Sequence, residues 1–258
     1  MKPASKLVAA TVLAAMLASC ASGPRGPRYK PEVINRALST APGEAQPSTV
    51  VATEVALSQA ENEIGVLKAK AQFAAPGAVW HLSDGPVGVS QTLPLLKELD
   101  GTADWGTRTV VMSCDGGLAI AAGRFLNPQG KYGDYLTTWV RQKDNSYKWT
   151  YTAEWIDDPQ PPPRKNLDDE NSLITVTTFD SVQGLIADCP RGGAAVPPPP
   201  ALSLANDYPG KAELSRDGTL RWHWEHRPDG TKFVSVDYFY GGGWVTAIQE
   251  GLASAREE

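Results

Sequence analysis

The chain has 258 residues, of which 41% are hydrophobic and eight are Trp, which is enough apolar material for a buried core in one or two small domains. Its net charge of -5 provides no basic field to attract phosphate groups, which argues against nucleic acid as a partner. The 24 Gly and 21 Pro predict many turns and linkers instead of a helical bundle.

The N-terminus has the pattern of an export signal. Lys2 and Lys6 accompany an apolar run over residues 7–17, about eleven residues long, which suits a signal peptide and is too short to span a membrane. The run ends in Leu17-Ala18-Ser19-Cys20, which resembles the lipobox of bacterial lipoproteins. The resemblance implies cleavage before Cys20 and a lipid anchor, with acyl chains such as palmitate, at that cysteine. The alternative is an ordinary secretory signal with a coincidental cysteine.

Residue Ala21 is not Asp, which by resemblance to lipoproteins of diderm bacteria favours the outer membrane, with the folded part facing the periplasm. From there to residue 49 the chain is polar, contains Pro and has no periodicity. We therefore predict a flexible tether over residues 20–49 that holds the folded part away from the bilayer.

Apolar residues spaced three or four apart predict a helix that begins at Glu54, with Thr53 as its N-cap, and that ends at Pro76-Gly77. The predicted buried stripe consists of Leu57, Ala60, Ile64, Leu67 and Ala71, and the predicted solvent face carries Glu61, Glu63, Lys68 and Lys70. A short strand over residues 78–82 and a second helix over residues 90–99 are predicted to follow.

The next segment favours strands. Runs of β-branched and aromatic residues predict four antiparallel strands, separated by turn residues such as Asp115-Gly116 and Asn145. The predicted strands are residues 107–114, 118–126, 135–142 and 147–155. The stretch Tyr135-Leu136-Thr137-Thr138-Trp139-Val140-Arg141-Gln142, followed by Ser146-Tyr147-Lys148-Trp149, resembles the last hairpin of the nuclear transport factor 2-like (ketosteroid isomerase-like) superfamily. The resemblance implies an α+β fold in which a cone-shaped, bent antiparallel sheet packs on N-terminal helices.

The second half begins at a proline-rich boundary, because Pro cannot donate to a sheet ladder. A strand over residues 173–179 is predicted, then extended polyproline geometry at Pro197 to Pro200. In the run 219–226, Leu220, Trp222 and Trp224 alternate with Arg221, His223 and Glu225. This predicts a β-meander whose Trp face packs either on the first domain or on the strand over residues 173–179. The predicted organisation is a signal peptide 1–19, a tether 20–49, a nuclear transport factor 2-like domain 50–156, a linker 157–171, a β-rich region 172–250 and a tail 251–258.

With Cys20 acylated, Cys114 and Cys189 remain as an even pair outside the cytosol. We predict that they form a disulfide, with two buried free thiols as the alternative.

No motif in the sequence specifies a reaction. The resemblance implies a cavity inside the cone, and the weak candidates for general-base chemistry there are His81, Glu154 and Tyr135, followed by Tyr151 and Asp115. Each of these residues also has a purely structural explanation. His81 could be a strand histidine with its hydrogen bonds made inside the protein, Glu154 a carboxylate that faces solvent, and Asp115 a turn-forming residue. No catalytic residue is therefore assigned.

No metal site and no cofactor are predicted, because His223 and His226 point to opposite faces of their strand and no phosphate-binding loop occurs. Trp105, Trp244 and Tyr240 could line a ligand or partner surface, or could belong to the core.

Three functional hypotheses result. The first is an envelope lipoprotein that binds a small apolar ligand or a protein partner without catalysis. The second is an isomerase or hydratase acting in the cone, and the third is an assembly protein that forms a homodimer through its sheet face. A cone filled by Trp80, Trp139 and leucines would count against the enzyme.

Overall fold

The computed structural model describes residues 45–82, 84–95, 102–162, 181–190, 194–202 and 208–252. Contacts divide the chain into two compact units, residues 1–41 and 42–258, and every described residue belongs to the second. The predicted signal peptide with its lipobox-like sequence, and the strand predicted over residues 173–179, lie outside the described residues. None of the described helices is both long enough and apolar enough to cross a membrane.

Two consecutive helices open the described part, α1 (Pro47–Ile64) and α2 (Val66–Phe73). Pro47 suits the first helical turn because its missing N–H would have no intrahelical partner there. The predicted start at Glu54 was wrong: α1 begins within the segment assigned to the tether, and the Thr53 hydroxyl donates to the Thr49 carbonyl inside the helix.

The predicted apolar stripe of these helices was correct only in part, because Leu67 is buried and Leu57 packs against the core while Ala71 is exposed. Gly65, with a φ of 91°, separates α1 from α2 and changes the direction in which the next side chains point. The residues of α1 that are buried are Val50, Glu54 and Glu61, whereas Ile64 is 41% exposed. The helix therefore turns carboxylates towards the protein interior.

A seven-stranded sheet packs against the helices, in the order β2-β1-β6-β5-β4-β3-β7. Its strands are β1 (Ala74–Leu82), β2 (Gly85–Gly88), β3 (Asp104–Met112), β4 (Leu118–Leu126), β5 (Tyr132–Arg141), β6 (Tyr147–Ile156) and β7 (Gln183–Ile186). The four strands β3 to β6 form the predicted antiparallel meander, while β1 joins β6 and β7 joins β3 in parallel. The predicted second helix is shorter than expected in the described residues, with α3 at Val89–Thr92 and a 3-10 turn at Leu93–Leu95.

The sheet has a register shift in its central hairpin. Trp139 of β5 pairs with Trp149 of β6, but Thr138 pairs with Tyr151, so Thr150 is an extra residue on β6. As a result Trp149 packs in the core beneath the helices, and Tyr151 packs in a second core on the opposite face. The observed class is thus a mixed α+β fold with a large bent sheet and few helices.

The second core lies beneath a four-stranded antiparallel sheet, in the order β11-β10-β9-β8. Its strands are β8 (Gly210–Leu214), β9 (Leu220–His226), β10 (Lys232–Tyr240) and β11 (Gly243–Leu252). Leu220, Trp222 and Trp224 pack against the first sheet, in the same cluster as Tyr151. Of the two predicted packings of the Trp face, the one on the first domain is therefore confirmed. We call the other side of this sheet the outer face.

The predicted disulfide is present. Cys114 follows β3 and Cys189 follows β7, with Cα atoms 5.2 Å apart and a separation of 75 residues along the chain. The backbone N–H of Ala187 donates to the Met112 carbonyl over 2.9 Å and extends the contact of the same two segments.

Candidate functional site

A small cavity lies between the helices α1 and α2 and the seven-stranded sheet. Its volume is about 30 Å³. It is lined by Glu54, Leu57, Glu61, Lys70, Trp105, Tyr135, Thr137, Trp149 and Thr152. A space of this size holds about one water molecule, and its lining is charged and hydroxylic as well as aromatic.

Glu54 is a buried carboxylate of this site. Tyr135 Oη donates to its Oε2 over 2.7 Å, Trp139 Nε1 donates to its Oε1 over 3.0 Å, and the Thr107 hydroxyl also donates to Oε2. Burial raises the pKa of the Glu54 carboxyl, and these hydrogen bonds offset only part of the increase. Three donors from β3 and β5 thus fix this side chain, which leaves it little freedom to bind anything else.

Lys70 of α2 places a buried ammonium group among carboxylates and indole rings. Its Nζ lies 2.7 Å from Glu154 Oε1 and 3.9 Å from Glu61 Oε1. The same Nζ is 4.8 Å from the ring centroid of Trp80 and 5.1 Å from that of Trp105. Burial lowers the pKa of Lys70, but the surrounding carboxylates outweigh burial and the pKa is raised, so the lysine stays charged.

Glu61 also lines the cavity, and its pKa is shifted towards neutrality. Burial raises its pKa to about 7, against the opposing effect of Lys70, while Trp105 Nε1 donates to its Oε2 over 3.0 Å. A carboxyl with such a pKa can accept or release a proton under physiological conditions, which is the property of a general base.

The space around these groups limits their chemistry. Trp80, Trp139 and Trp149 are at most 5% exposed and fill the space between the helices and the sheet, together with aliphatic side chains from both helices. The described residues here leave a cavity of only about 30 Å³ beside the titratable groups.

Two of the predicted candidates belong to this site. Tyr135 is buried and binds Glu54. Glu154 was expected to face solvent, but its side chain is only 23% exposed and its carboxylate binds Lys70. Asp115 lies in the turn after β3, where it accepts from Ser113 Oγ and from the Gly117 N–H, as a turn former does.

His81 and Tyr151 lie on the opposite side of the sheet from the cavity. His81 Nδ1 is 2.7 Å from Tyr151 Oη, and its Nε2 is 3.0 Å from His226 Nδ1. Burial lowers the pKa of His81 to about 3, with additional effects of Lys232 and His226, so the ring is neutral at physiological pH. Because it contacts the second core, His81 cannot act as a base inside the cone.

The two histidines of β9 point to opposite faces, as predicted. His226 contacts His81 beneath the sheet, whereas His223 contacts Phe233 on the outer face. Within the described part of the chain, no three His, Cys, Asp or Glu residues come together as metal ligands would.

The sequence reasoning missed Glu54, and it assigned Glu61 and Lys70 to the solvent face. A signal was present: Val50, Glu54, Leu57 and Glu61 recur at intervals of three or four and so share one face of α1. This face of α1 was not recognised because its charged residues were assumed to be exposed.

Neither the family models nor the curated proteins yielded a match. Among solved structures, the chain is similar to a nuclear transport factor 2-like superfamily protein from Salmonella enterica subsp. enterica serovar Typhimurium str. LT2. The identity is 10% with a TM-score of 0.30, over 47% of this chain and 92% of that chain.

Proposed function

We propose that this chain is an exported, lipid-anchored envelope protein whose folded part binds another protein through its surface. The observation that supports this most strongly is the set of large apolar side chains exposed on the C-terminal sheet, Leu214, Tyr240 and Val245. Among the described residues, the space between the helices and the first sheet is a cavity of only about 30 Å³ beside a carboxylate held by three internal donors. We therefore place the binding on the surface.

The surface offers apolar side chains for such contacts. Tyr240 is 54% exposed and Val245 is 41% exposed, and both belong to the hairpin of β10 and β11. Leu214 on the edge strand β8 is 50% exposed. Large aromatic and aliphatic side chains that remain exposed are typical of protein contact sites.

Export is supported by two independent features. The lipobox ending at Cys20 follows a signal-like run, and the Cys114–Cys189 disulfide is a bond that persists in oxidising compartments. Several acyl chains on one terminus anchor a protein stably, whereas a single chain holds it only marginally.

The anchor is tested by Cys20→Ser in the full-length chain. We expect the wild type to incorporate labelled palmitate and to sediment with membranes, and the variant to lose both properties. A processed variant that stays in the membrane fraction would overturn the anchor.

The binding surface is tested by photo-crosslinking in intact cells. A photoreactive amino acid at Tyr240 should yield an adduct of defined mass, and the same amino acid at exposed Lys143 serves as the control. An adduct of twice the protomer mass would identify the partner as a second copy, as in the predicted homodimer. Equal labelling at both positions, or none, would contradict a partner site on this hairpin.

A second function is favoured by one observation, the pKa of about 7 at Glu61 in the cavity. In that case Glu61 would take a proton from the carbon next to a carbonyl group and return it at the γ-carbon. The test is conversion of a small β,γ-unsaturated ketone to its conjugated isomer, followed by ultraviolet absorbance. Turnover that disappears in Glu61→Gln would replace the binding proposal, whereas a rate equal to that of buffer would support it.

A further inference from the structure

A proline-rich segment, residues 194–202, lies against the outer face of the four-stranded sheet, and we call it the proline strap. Trp244 Nε1 of β11 donates to the Pro197 carbonyl over 2.8 Å. Arg221 Nη1 of β9 donates to the Pro200 carbonyl. Both contacts use backbone carbonyls of the strap, and both donors come from the sheet.

The exposure pattern of the strap has a period of three. Val196, Pro199 and Leu202 are partly buried, while the residues between them are exposed. A polyproline II helix has three residues per turn, so every third side chain faces the same way. Pro197 and Pro200, whose carbonyls are bound, are also three residues apart. The burial pattern and the hydrogen bonds therefore both indicate a polyproline turn that packs on the sheet.

The donors are held in place independently of the strap. Arg221 is 7% exposed, and Asp237 Oδ2 accepts from its Nε over 3.2 Å and from its Nη2 over 2.6 Å. The Thr246 hydroxyl donates to the other oxygen of Asp237 over 2.7 Å. The Phe239 ring packs edge-on against Trp244, with ring centroids 6.4 Å apart. A carboxylate fixes the guanidinium and an aromatic ring supports the indole, so the sheet presents two ordered donors.

This combination fits the chemistry of polyproline recognition. A polyproline II segment makes no internal hydrogen bonds, so its carbonyls are free to accept from a partner. Its stiffness also means that little conformational entropy is lost when it binds. An indole and a guanidinium placed to reach carbonyls one turn apart select that backbone over others.

We propose that the outer face of the C-terminal sheet is a polyproline-binding site, occupied here by the chain's own strap, and that a proline-rich segment of another protein replaces the strap. This inference rests on the proposed binding function and names its partner class. Most strap residues remain exposed, and Pro197, Pro198 and Pro200 have one side in solvent. A tethered segment competes with an effective concentration in the millimolar range, which an external ligand can overcome.

The test uses a nine-residue peptide with the strap sequence AAVPPPPAL and a control peptide in which alanine replaces every proline. Binding to the purified full chain is measured by calorimetry. In a second protein the four prolines 197–200 are replaced by Gly-Ser-Gly-Ser, which opens the strap. We expect the opened protein to bind the proline peptide at least tenfold more tightly than the wild type does, because the internal competitor is weakened.

Trp244→Phe in the opened protein keeps a ring and removes the indole donor. It should weaken binding about twofold to tenfold, as expected for one hydrogen bond. An opened protein with a native circular dichroism spectrum that binds neither peptide, or both equally, would overturn the proposal.

A measurement on the wild type covers the case in which the opened protein does not fold. The indole N–H resonance of Trp244 should shift as the proline peptide is added at millimolar concentration. The Trp222 indole donates to Glu213 over 3.1 Å and serves as the internal control. A Trp244 signal that does not move even at the solubility limit of the peptide would refute the site.

These results are distinguishable from failure of the broader proposal. A crosslinked adduct at Tyr240 without peptide binding would keep the protein-binding function and reject the polyproline site.

Discussion

Replacing Lys70 by Met would remove the one cation of the cluster formed by Glu54, Glu61, Lys70 and Glu154. The Lys70 side chain is 5% exposed and that of Glu61 is 2% exposed, so the variant leaves a buried carboxyl without its ion partner. Removing one member of a buried pair costs about 3–5 kcal/mol. We expect the lower end, about 3 kcal/mol, because the Glu154 side chain is 23% exposed and can be hydrated when its partner is gone.

The assay is urea unfolding followed by Trp fluorescence, with thermal unfolding alongside. A loss of this size lowers the melting temperature by roughly 10 °C in a domain of about 200 residues. Lys68→Met is the matched control, because Lys68 lies on the same helix and is exposed, and it should change stability by less than about 0.5 kcal/mol. Equal effects of the two variants would refute the buried cluster.

A double variant separates charge from packing. Adding Glu154→Gln to Lys70→Met removes the negative charge that lost its partner, so part of the stability should return. We expect a coupling of at least about 1 kcal/mol between the two positions. Strictly additive effects would show that Lys70 stabilises the fold through its methylene groups alone.

Three further outcomes follow from the structure. The pKa of Glu61 in the folded protein is raised to about 7, from 4.5 in the unfolded chain. Protonated Glu61 therefore contributes fully to stability below pH 4.5, and this contribution is lost as the pH rises to about 7. Glu61→Gln should flatten that part of the curve of stability against pH, measured by urea unfolding. Reducing the Cys114–Cys189 bond, which closes a separation of 75 residues, should lower stability by up to about 4 kcal/mol, and alkylation before and after reduction should differ by two groups in the mass spectrum. Asn145 has a φ of 65°, so Asn145→Ala should cost about 1 kcal/mol in the same urea assay, whereas Asn145→Gly should remain within about 0.5 kcal/mol of the wild type.

The meander of the first sheet could be predicted from the sequence because its strands are runs of β-branched and aromatic residues and its turns contain Gly or Asn at positive φ. The same holds for β9, where Leu220 and Trp222 face one core and Arg221 faces away. These patterns depend on local chain geometry, which neighbouring residues determine.

The site could not be predicted in the same way. Lys70 is buried beside Glu154, which lies on β6 far along the chain, and Glu61 is buried beside Lys70. The spacing of apolar residues along one helix cannot predict a contact with a distant strand. The strand β2 was missed for a different reason, since Gly85–Gly88 has four residues, two of them glycine, and forms only by pairing with β1.

The bond between Cys114 and Cys189 encloses the predicted linker at residues 157–171. A protease that cuts any peptide bond inside this ring yields two polypeptides that remain one covalent molecule. The residues before Cys114 and the C-terminal sheet would then stay together after a single cleavage, and only a thiol reductant would release the fragment. Apparent intactness on a non-reducing gel is therefore no measure of how often this protein has been cleaved.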